Sequence, residues 1–302
     1  MGVLSDRKPA YLAAFAYSCT IGFSFLFVKI ALRSATPLDI LAHRFAVALL
    51  CALVSLLSGR ARYEVKLRDT MSILPLTVFY PVSFFLFQTL GLLHIGSSEA
   101  GIVQALVPVF ALLLAFPLLG ERSSCRRVAF VLLSVAGVAL ISAMSGSHGG
   151  ESAAALKGTL LILVATLSMA MYMVITRKLS LRFSVFELTF AMSLAGFVAF
   201  ALGATVWRLR APQTTGFMAP FSQPSYAAAI LFLGCASSFL SSFFSNFALS
   251  RIEASKMSVF ANLATVIAIF SGVVFLGEPF HWFHALGTAM IVTGVLGANR
   301  VT

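Results

Sequence analysis

The sequence predicts an all-α membrane protein whose ten transmembrane helices form two inverted five-helix repeats around a central cavity. The first observation behind this prediction is composition. The 302-residue chain is 60% hydrophobic and 10% charged, with a mean hydropathy of +0.98, and a water-soluble core of that size does not bury so much apolar surface. The second is that apolar segments of about 20 residues, the length that crosses a bilayer, recur between short polar breaks. The third is an internal repeat.

The repeat is clearest between Ser97 and Val138 and its copy between Ala254 and Val295. Displacing the sequence by 157 residues aligns the Leu-Gly-Glu at 119–121 with the Leu-Gly-Glu at 276–278. Apolar composition alone does not supply matching Gly and Glu positions, so the fixed register indicates an internal duplication.

The apolar runs are continuous rather than alternating, which favours helices over a barrel because backbone polar groups in lipid must be bonded internally. The predicted spans are 10–31, 37–58, 72–93, 98–119, 127–144, 157–176, 184–207, 227–249, 255–276 and 280–298. The first repeat is assigned to 1–144 and the second to 157–302. The Gly-, Ser- and Ala-rich segment between them, 145–156, is predicted to be a flexible external linker.

The distribution of Lys and Arg predicts the orientation. With the N-terminus inside, fifteen of these residues fall in cytoplasmic segments and four in external ones, which favours both termini in the cytoplasm and a place in the cytoplasmic (inner) membrane. Each repeat has an odd number of spans, so the second enters the membrane from the opposite side. The net charge of +11 lies mostly in short loops beside spans, so nucleic acid is not a predicted partner. The first apolar stretch is predicted to be a retained helix rather than a cleaved signal.

The sequence contains Pro37-Leu38 with Arg44, the segments 106–110 and 119–121, Gly137-Val138, and their counterparts in the second half. Together these elements resemble the EamA family of the drug/metabolite transporter superfamily, over about residues 10–298. The resemblance implies export or exchange of small metabolites, amino acids among them, by alternating access. The halves are not equivalent, because Thr265 replaces the proline expected from Pro108 and Met192 stands opposite Arg44.

Arg44 is a charge at membrane depth, about 10 Å along the second span. One interpretation is that it binds a substrate carboxylate or anchors an external gate. The favoured interpretation is a structural ion pair with Glu99 or Asp39, which lie at similar depth.

The third and eighth spans carry most of the remaining polar residues. Those of the eighth recur at helical spacing and form one hydroxyl-rich face, which either lines a water-filled cavity, the favoured interpretation, or allows close helix packing. Pro81 and Pro108 predict kinks. The candidate substrate-binding residues are Arg44, Tyr80, Gln88, Gln104, Tyr17, Tyr172, Ser238, Ser242, Ser245, Asn246 and Asn262.

Motifs of enzymes and nucleotide-driven pumps are absent from the sequence, including HExxH, GxSxG and GxxxxGK[ST]. Neither an enzyme nor a cofactor is predicted, and His281 and His284 are interpreted as interfacial rather than metal-binding. No carboxylate lies at the centre of a predicted span, so coupling to a proton gradient is not expected.

The sequence therefore predicts a carrier of a small organic metabolite, with an amino acid or analogue as the leading substrate class and a facilitative or exchange mechanism. One alternative is a carrier of a cationic amine such as choline, held by aromatic faces. The other is a non-transporting membrane receptor or interaction protein. The expected partners are the small-molecule substrate and membrane lipid, and a monomer is left open as the oligomeric state.

Overall fold

A computed structural model describes residues 7–59, 73–119, 125–147, 152–179, 182–210, 216–252 and 254–300, and over these residues the chain is helical without a β-strand. The helices are α1 (Arg7–Leu32), α2 (Pro37–Leu57), α3 (Ile73–Gly91), α4 (Ser97–Gln104 and Val107–Leu119), α5 (Cys125–Ser147), α6 (Ser152–Leu179), α7 (Val185–Arg210), α8 (Pro224–Leu249), α9 (Ala254–Leu276) and α10 (Trp282–Arg300).

Each predicted span corresponds to one of these helices. By length and composition, α1, α2, α3, α6, α7 and α8 are able to cross a membrane, and the other four contain shorter apolar stretches. The helices next to the predicted linker are longer than expected, because α5 continues to Ser147 and α6 is already helical at Ser152. Residues 148–151 of that segment lie outside the described part of the chain.

The principal helix pairings are preserved when the two halves are exchanged. Helix α1 packs on α9 and along α8, and its counterpart α6 packs on α4 and along α3. Helix α2 packs on α7, and α5 packs on α10. The α5–α10 contact is close because it uses glycines: a Cβ on Gly137 would lie 2.7 Å from the carbonyl oxygen of Gly287. This pairing is the one expected of two related repeats that wrap around each other.

Three helices depart from regular α-geometry near the centre of the bundle. In α3 the backbone is extended at Tyr80 (φ −141°, ψ 117°), directly before Pro81. In α4 the break is at Ala105 and Leu106, whose N–H groups donate to carbonyls three residues back, both at 3.1 Å. Pro108 explains this second break, because it lacks the N–H that would bond the carbonyl four residues earlier. The two predicted kinks are therefore confirmed. The π-helical segment of α8, Phe232–Leu240, was not predicted.

Candidate functional site

The buried arginine of α2 lies at the centre of the candidate site. Helix α2 begins at Pro37, where the hydroxyl of Thr36 accepts a hydrogen bond from the Asp39 backbone N–H at 3.4 Å. Arg44 follows about two turns later and is 0% exposed. A charge buried this completely is costly unless it is paired or bonded, so the partners of Arg44 decide what it does.

Those partners are hydroxyl groups of α8. The Arg44 Nε donates to Ser238 Oγ at 2.6 Å, and Nη2 donates to Ser237 Oγ at 2.7 Å and to the Ser237 carbonyl at 3.4 Å. Helix α8 comes this close to α2 because residue 234 is a glycine: a Cβ there would lie 2.5 Å from the Val47 side chain. The adjacent serines belong to the π-helical segment, whose altered geometry accompanies the contact of both hydroxyls with one guanidinium.

The remaining surroundings of Arg44 are aromatic. Its guanidinium carbon lies 3.9 Å from the centre of the Phe85 ring, a distance at which a cation is attracted to the ring face. The third nitrogen, Nη1, has no hydrogen-bond partner among the described residues. Arg44 thus meets hydroxyls and a ring instead of a carboxylate.

The expected structural ion pair of Arg44 is wrong. Asp39 is bonded through both oxygens to Arg208 of α7, with Nε to Oδ1 at 2.9 Å and Nη2 to Oδ2 at 2.8 Å. Neither Asp39 nor Glu99 contacts Arg44 within the described part of the chain. Within the described part of the chain, the positive charge of Arg44 therefore has no carboxylate as a partner.

A second group of polar residues continues from Arg44 along α8. Ser242 Oγ lies 3.5 Å from the hydroxyl of Tyr80, whose ring stacks on that of Tyr172 with centres 4.4 Å apart. The Tyr172 hydroxyl lies 3.2 Å from Ser245 Oγ and 3.0 Å from Asn246 Oδ1. These contacts join α3, α6 and α8 in one buried network.

The far end of this network is neutral. Asn246 Nδ2 donates to Thr189 Oγ1 of α7 at 3.1 Å and lies 3.9 Å from the sulfur of Met192. The hydroxyl-rich face of α8 therefore forms hydrogen bonds with neighbouring helices. The sequence had favoured an open, water-filled cavity along that face.

The cavity nearest to this network lies beside it, between α1, α3, α4, α6 and α9. Its lining includes Tyr17, Phe84, Gln104 and Met169, and the Tyr17 hydroxyl lies 3.9 Å from the Met169 sulfur. The cavity volume is about 20 Å³, room for about one water molecule. This cavity is too small for an amino acid in this conformation.

Gln88 lies on the face of α3 between two residues of the site. At about 100° per residue, helical geometry places it between Phe84, which lines the cavity, and Phe85, whose ring lies against the Arg44 guanidinium. Gln88 is 0% exposed, and neither atom of its amide has a hydrogen-bond partner among the described residues; the same holds for Gln104 Nε2. Buried amides are nearly always bonded, so these groups are free to bind a ligand or water.

Of the eleven candidate residues, nine lie in the network, at its arginine or along the cavity. Gln88 lies on the adjoining face of α3, and Asn262 lies in α9 with its side chain outside the described part. Sequence reasoning missed Ser237, Phe85 and Thr189. Ser237 lies four residues before Ser241 and so fits the three-and-four spacing of the α8 serines, a signal that could have identified it; it reaches Arg44 from the π-helical segment. Phe85 is one of 29 phenylalanines, and nothing in the sequence distinguishes it.

A separate cluster covers the start of α2. His43 Nδ1 lies 2.8 Å from the Tyr226 hydroxyl, and the His43 ring lies 4.1 Å from that of Phe217, centre to centre. Phe217 also lies under the Arg208 guanidinium, at 5.2 Å. The segment before α8 therefore packs on the Asp39–Arg208 pair, one to two turns from Arg44.

The described residues contain no group of three or more His, Cys, Asp or Glu side chains placed to hold a metal ion. His284 Nδ1 accepts a hydrogen bond from the His281 backbone N–H at 3.0 Å, which closes the first turn of α10 as a cap does. Cys51 and Cys235 lie with their sulfurs 3.1 Å apart between α2 and α8.

Comparisons with known proteins agree with this architecture. The sequence profile of the EamA-like transporter family matches residues 8–143 and 156–300. The uncharacterized transporter YcxC of Bacillus subtilis (strain 168) is 46% identical over 98% of this chain and 95% of its own. A probable terminal-alkyne amino-acid exporter of Streptantibioticus cattleyicolor is 26% identical over 70% of this chain and 67% of its own. One crystal structure superimposes with a TM-score of 0.66 at 19% identity, covering 97% of this chain and 96% of that one.

Proposed function

Because the chain belongs to the EamA-like transporter family, we propose that it carries a small organic metabolite across the cytoplasmic membrane by alternating access, with an amino acid or close analogue as the substrate. The two halves act as inverted repeats, with both termini in the cytoplasm. This orientation is supported by the excess of Lys and Arg in the segments assigned to the inside.

The observation that carries the substrate class is the state of Arg44. It is completely buried, it is bonded to two serine hydroxyls, and its Nη1 has no partner in the described part of the chain. A substrate carboxylate supplies a negative charge and accepts the hydrogen bonds that Nη1 has free. The relative named as a probable amino-acid exporter supports the same class.

The neutral groups around the arginine suit the rest of such a substrate. The amides of Gln88 and Gln104 offer hydrogen bonds to an amine, and the stacked rings of Tyr80 and Tyr172 offer an apolar wall. The same rings favour the second candidate, a cationic amine held by cation-π attraction. Arg44 opposes that candidate, because it places a buried positive charge next to the ligand.

The mechanism is facilitative or exchange. All three carboxylates within the described helices, Asp39, Glu99 and Glu187, lie in the first turn of their helix. Proton-coupled carriers hold a titratable group at depth, where protonation competes with the substrate. Substrate is therefore expected to run down its own gradient.

Flux into proteoliposomes made from the purified protein tests this proposal. Arg44→Ala should reduce the flux of a carboxylated substrate about 10- to 100-fold, the loss of one or two charged hydrogen bonds, and should affect its decarboxylated amine much less. Arg251→Ala, at the exposed end of α8, is the matched control and should leave both fluxes unchanged. Arg44→Lys should restore flux only in part.

Two results decide against the proposal. Equal losses for the acid and the amine in Arg44→Ala assign the arginine to a gate or a structural role. Binding without equilibration of the two sides supports a receptor, which is the candidate from another functional class. An imposed proton gradient should not drive accumulation, and uphill transport under that gradient would refute the facilitative mechanism.

A further inference from the structure

The loop between α9 and α10 carries a carboxylate that holds the start of α4. Gly277 has a left-handed backbone (φ 67°), which glycine adopts without strain, and Glu278 follows it. The Glu278 carboxylate accepts four hydrogen bonds. On Oε1 they come from the N–H and hydroxyl of Ser97, at 2.7 and 2.9 Å, and on Oε2 from the N–H and hydroxyl of Ser98, both at 2.8 Å.

These contacts satisfy N–H groups that a helix leaves unbonded at its first turn, and they place a negative charge at the positive end of the helix. Burial raises the pKa of Glu278. The hydrogen bonds from Ser98 and Ser97 lower it by more than burial raises it, so the pKa lies below its ordinary value. The carboxylate is therefore charged at neutral pH, and its bonds are of the strong, charge-assisted kind.

The part of α4 that Glu278 holds is a distinct unit. This first half, Ser97–Gln104, is buried at all eight residues and ends at the break at Ala105 and Leu106. It brings Gly101 and Gln104 to the cavity wall. It also has polar contacts with α9: the Thr265 hydroxyl donates to the Gly101 carbonyl at 2.9 Å, and the Ser98 hydroxyl lies 3.5 Å from the Ile269 carbonyl.

We propose that the first half of α4 pivots as a rigid unit about the Ala105–Leu106 break when this end of the bundle opens, and that Glu278 is the positioning residue that holds it closed. This inference rests on the proposed function, since alternating access requires each end to open in turn. A short helix with a break at one end and a releasable carboxylate at the other moves without unfolding. Its displacement carries Gln104 and Gly101 away from the cavity and opens it.

The test compares two carboxylates that cap helices in different ways. Glu278→Gln keeps the size of the side chain but turns one acceptor into an amide donor that faces the N–H and hydroxyl of a serine. Glu187→Gln is the matched control, because Glu187 caps its own helix, α7: it accepts from the Ser184 N–H at 2.7 Å and donates its own N–H to Ser184 Oγ at 3.2 Å. If Glu278 only caps a helix, Glu278→Gln raises exchange in the first turn of α4 alone, as Glu187→Gln does in the first turn of α7, and residues 101–104 keep the wild-type rate.

Amide hydrogen exchange measured by mass spectrometry in detergent supplies the readout. In Glu278→Gln, exchange in residues 97–104 should rise about tenfold or more, as expected for loss of a charged hydrogen bond, while residues 107–119 keep the wild-type rate. Glu187→Gln should leave both halves of α4 unchanged. Ser98→Ala, which removes one donor, should raise exchange in 97–104 by a smaller factor and carries the test if Glu278→Gln does not fold.

The inference is overturned if exchange in 97–104 is unchanged, if both halves of α4 rise together, or if Glu187→Gln has the same effect. The measurement needs no substrate. Absence of flux in wild-type proteoliposomes would therefore contradict the proposed function alone, whereas normal flux with unchanged exchange in Glu278→Gln would contradict the pivot alone.

Discussion

Replacing Arg44 by methionine should leave the protein at least as stable as the wild type, although it removes two short hydrogen bonds. Each bond of a charged group contributes about 1.5–3 kcal/mol. Against them stands the desolvation of a guanidinium, several kcal/mol per ion even after relaxation. Arg44 has no carboxylate to offset that cost, and its Nη1 is unbonded in the described part of the chain.

Methionine fills most of the space of the arginine and adapts to irregular gaps. The freed hydroxyls of Ser237 and Ser238 can bond carbonyls of the preceding turn, as Ser241 already does with the Ser237 carbonyl. Replacing buried ion pairs by apolar residues is often neutral or stabilising by about 1–4 kcal/mol. We therefore expect the free energy of unfolding of Arg44→Met to change by about 0 to +4 kcal/mol.

Thermal unfolding in detergent, followed by fluorescence, measures this change. Arg251→Met serves as the control, since its charge is exposed at the end of α8 and its removal should matter little. The stabilisation that a carboxylated substrate gives to the wild type should disappear in Arg44→Met. A loss of more than about 2 kcal/mol in Arg44→Met, with Arg251→Met unchanged, would make Arg44 a structural residue and refute the argument for a carboxylate site.

Three further predictions follow from the network, the orientation and the Glu278 contact. Ser242→Trp should block flux in a folded protein, because Ser242 lies against Tyr80 in a closed site; normal flux and affinity would assign the α8 serines to packing alone. In a cysteine-free background, cysteines at positions 148 and 124, both outside the described residues, should be labelled from opposite sides, and labelling of 148 only from the cytoplasm would contradict the inverted repeats. Because the pKa of Glu278 is lowered, its contribution to stability is present above the unfolded value near 4.3 and is lost as the pH falls through the lower folded value. The difference in unfolding temperature between wild type and Glu278→Gln should be constant from pH 8 to 6 and shrink below about pH 4, and a difference that vanished already near pH 6 would contradict this assignment.

The sequence predicted the helices, the duplication and the two proline breaks because each depends on local physics. An apolar run of about 20 residues has few alternatives to a helix, and Pro81 and Pro108 remove hydrogen bonds wherever they stand in one. The helix ends between the halves were misjudged because the residues at 145–147 and 152–156 are Ser, Gly and Ala with one Leu. Such residues are common in linkers, yet they continue a helix that already has a packed neighbour.

The candidate site was predicted in its residues but not in its contacts. Arg44 stood out because a lone charge in an apolar span is rare, and the α8 stripe stood out by spacing. The partners of Arg44 depend on tertiary packing. Asp39 pairs with Arg208, about 170 residues away in sequence, and no local sequence pattern predicts that pair. The role of the Leu-Gly-Glu repeat was equally hidden, since Glu278 acts on Ser97 and Ser98 in the other half of the chain.

The duplication supplies a symmetric frame, and the candidate site lies where the halves depart from it. Met192 is the eighth residue of α7 as Arg44 is the eighth of α2, and in the structure the two residues stand at opposite ends of one buried network. At the cationic end Arg44 meets Ser237 and Ser238, and at the neutral end Met192 lies beside Asn246. An arginine at both positions would have given the network two positively charged ends, which suit a ligand with two negative groups. A single charge at one end fits a ligand whose negative group is also single, so the substitution of Met192 for an arginine is itself an argument for a monocarboxylate held in one orientation.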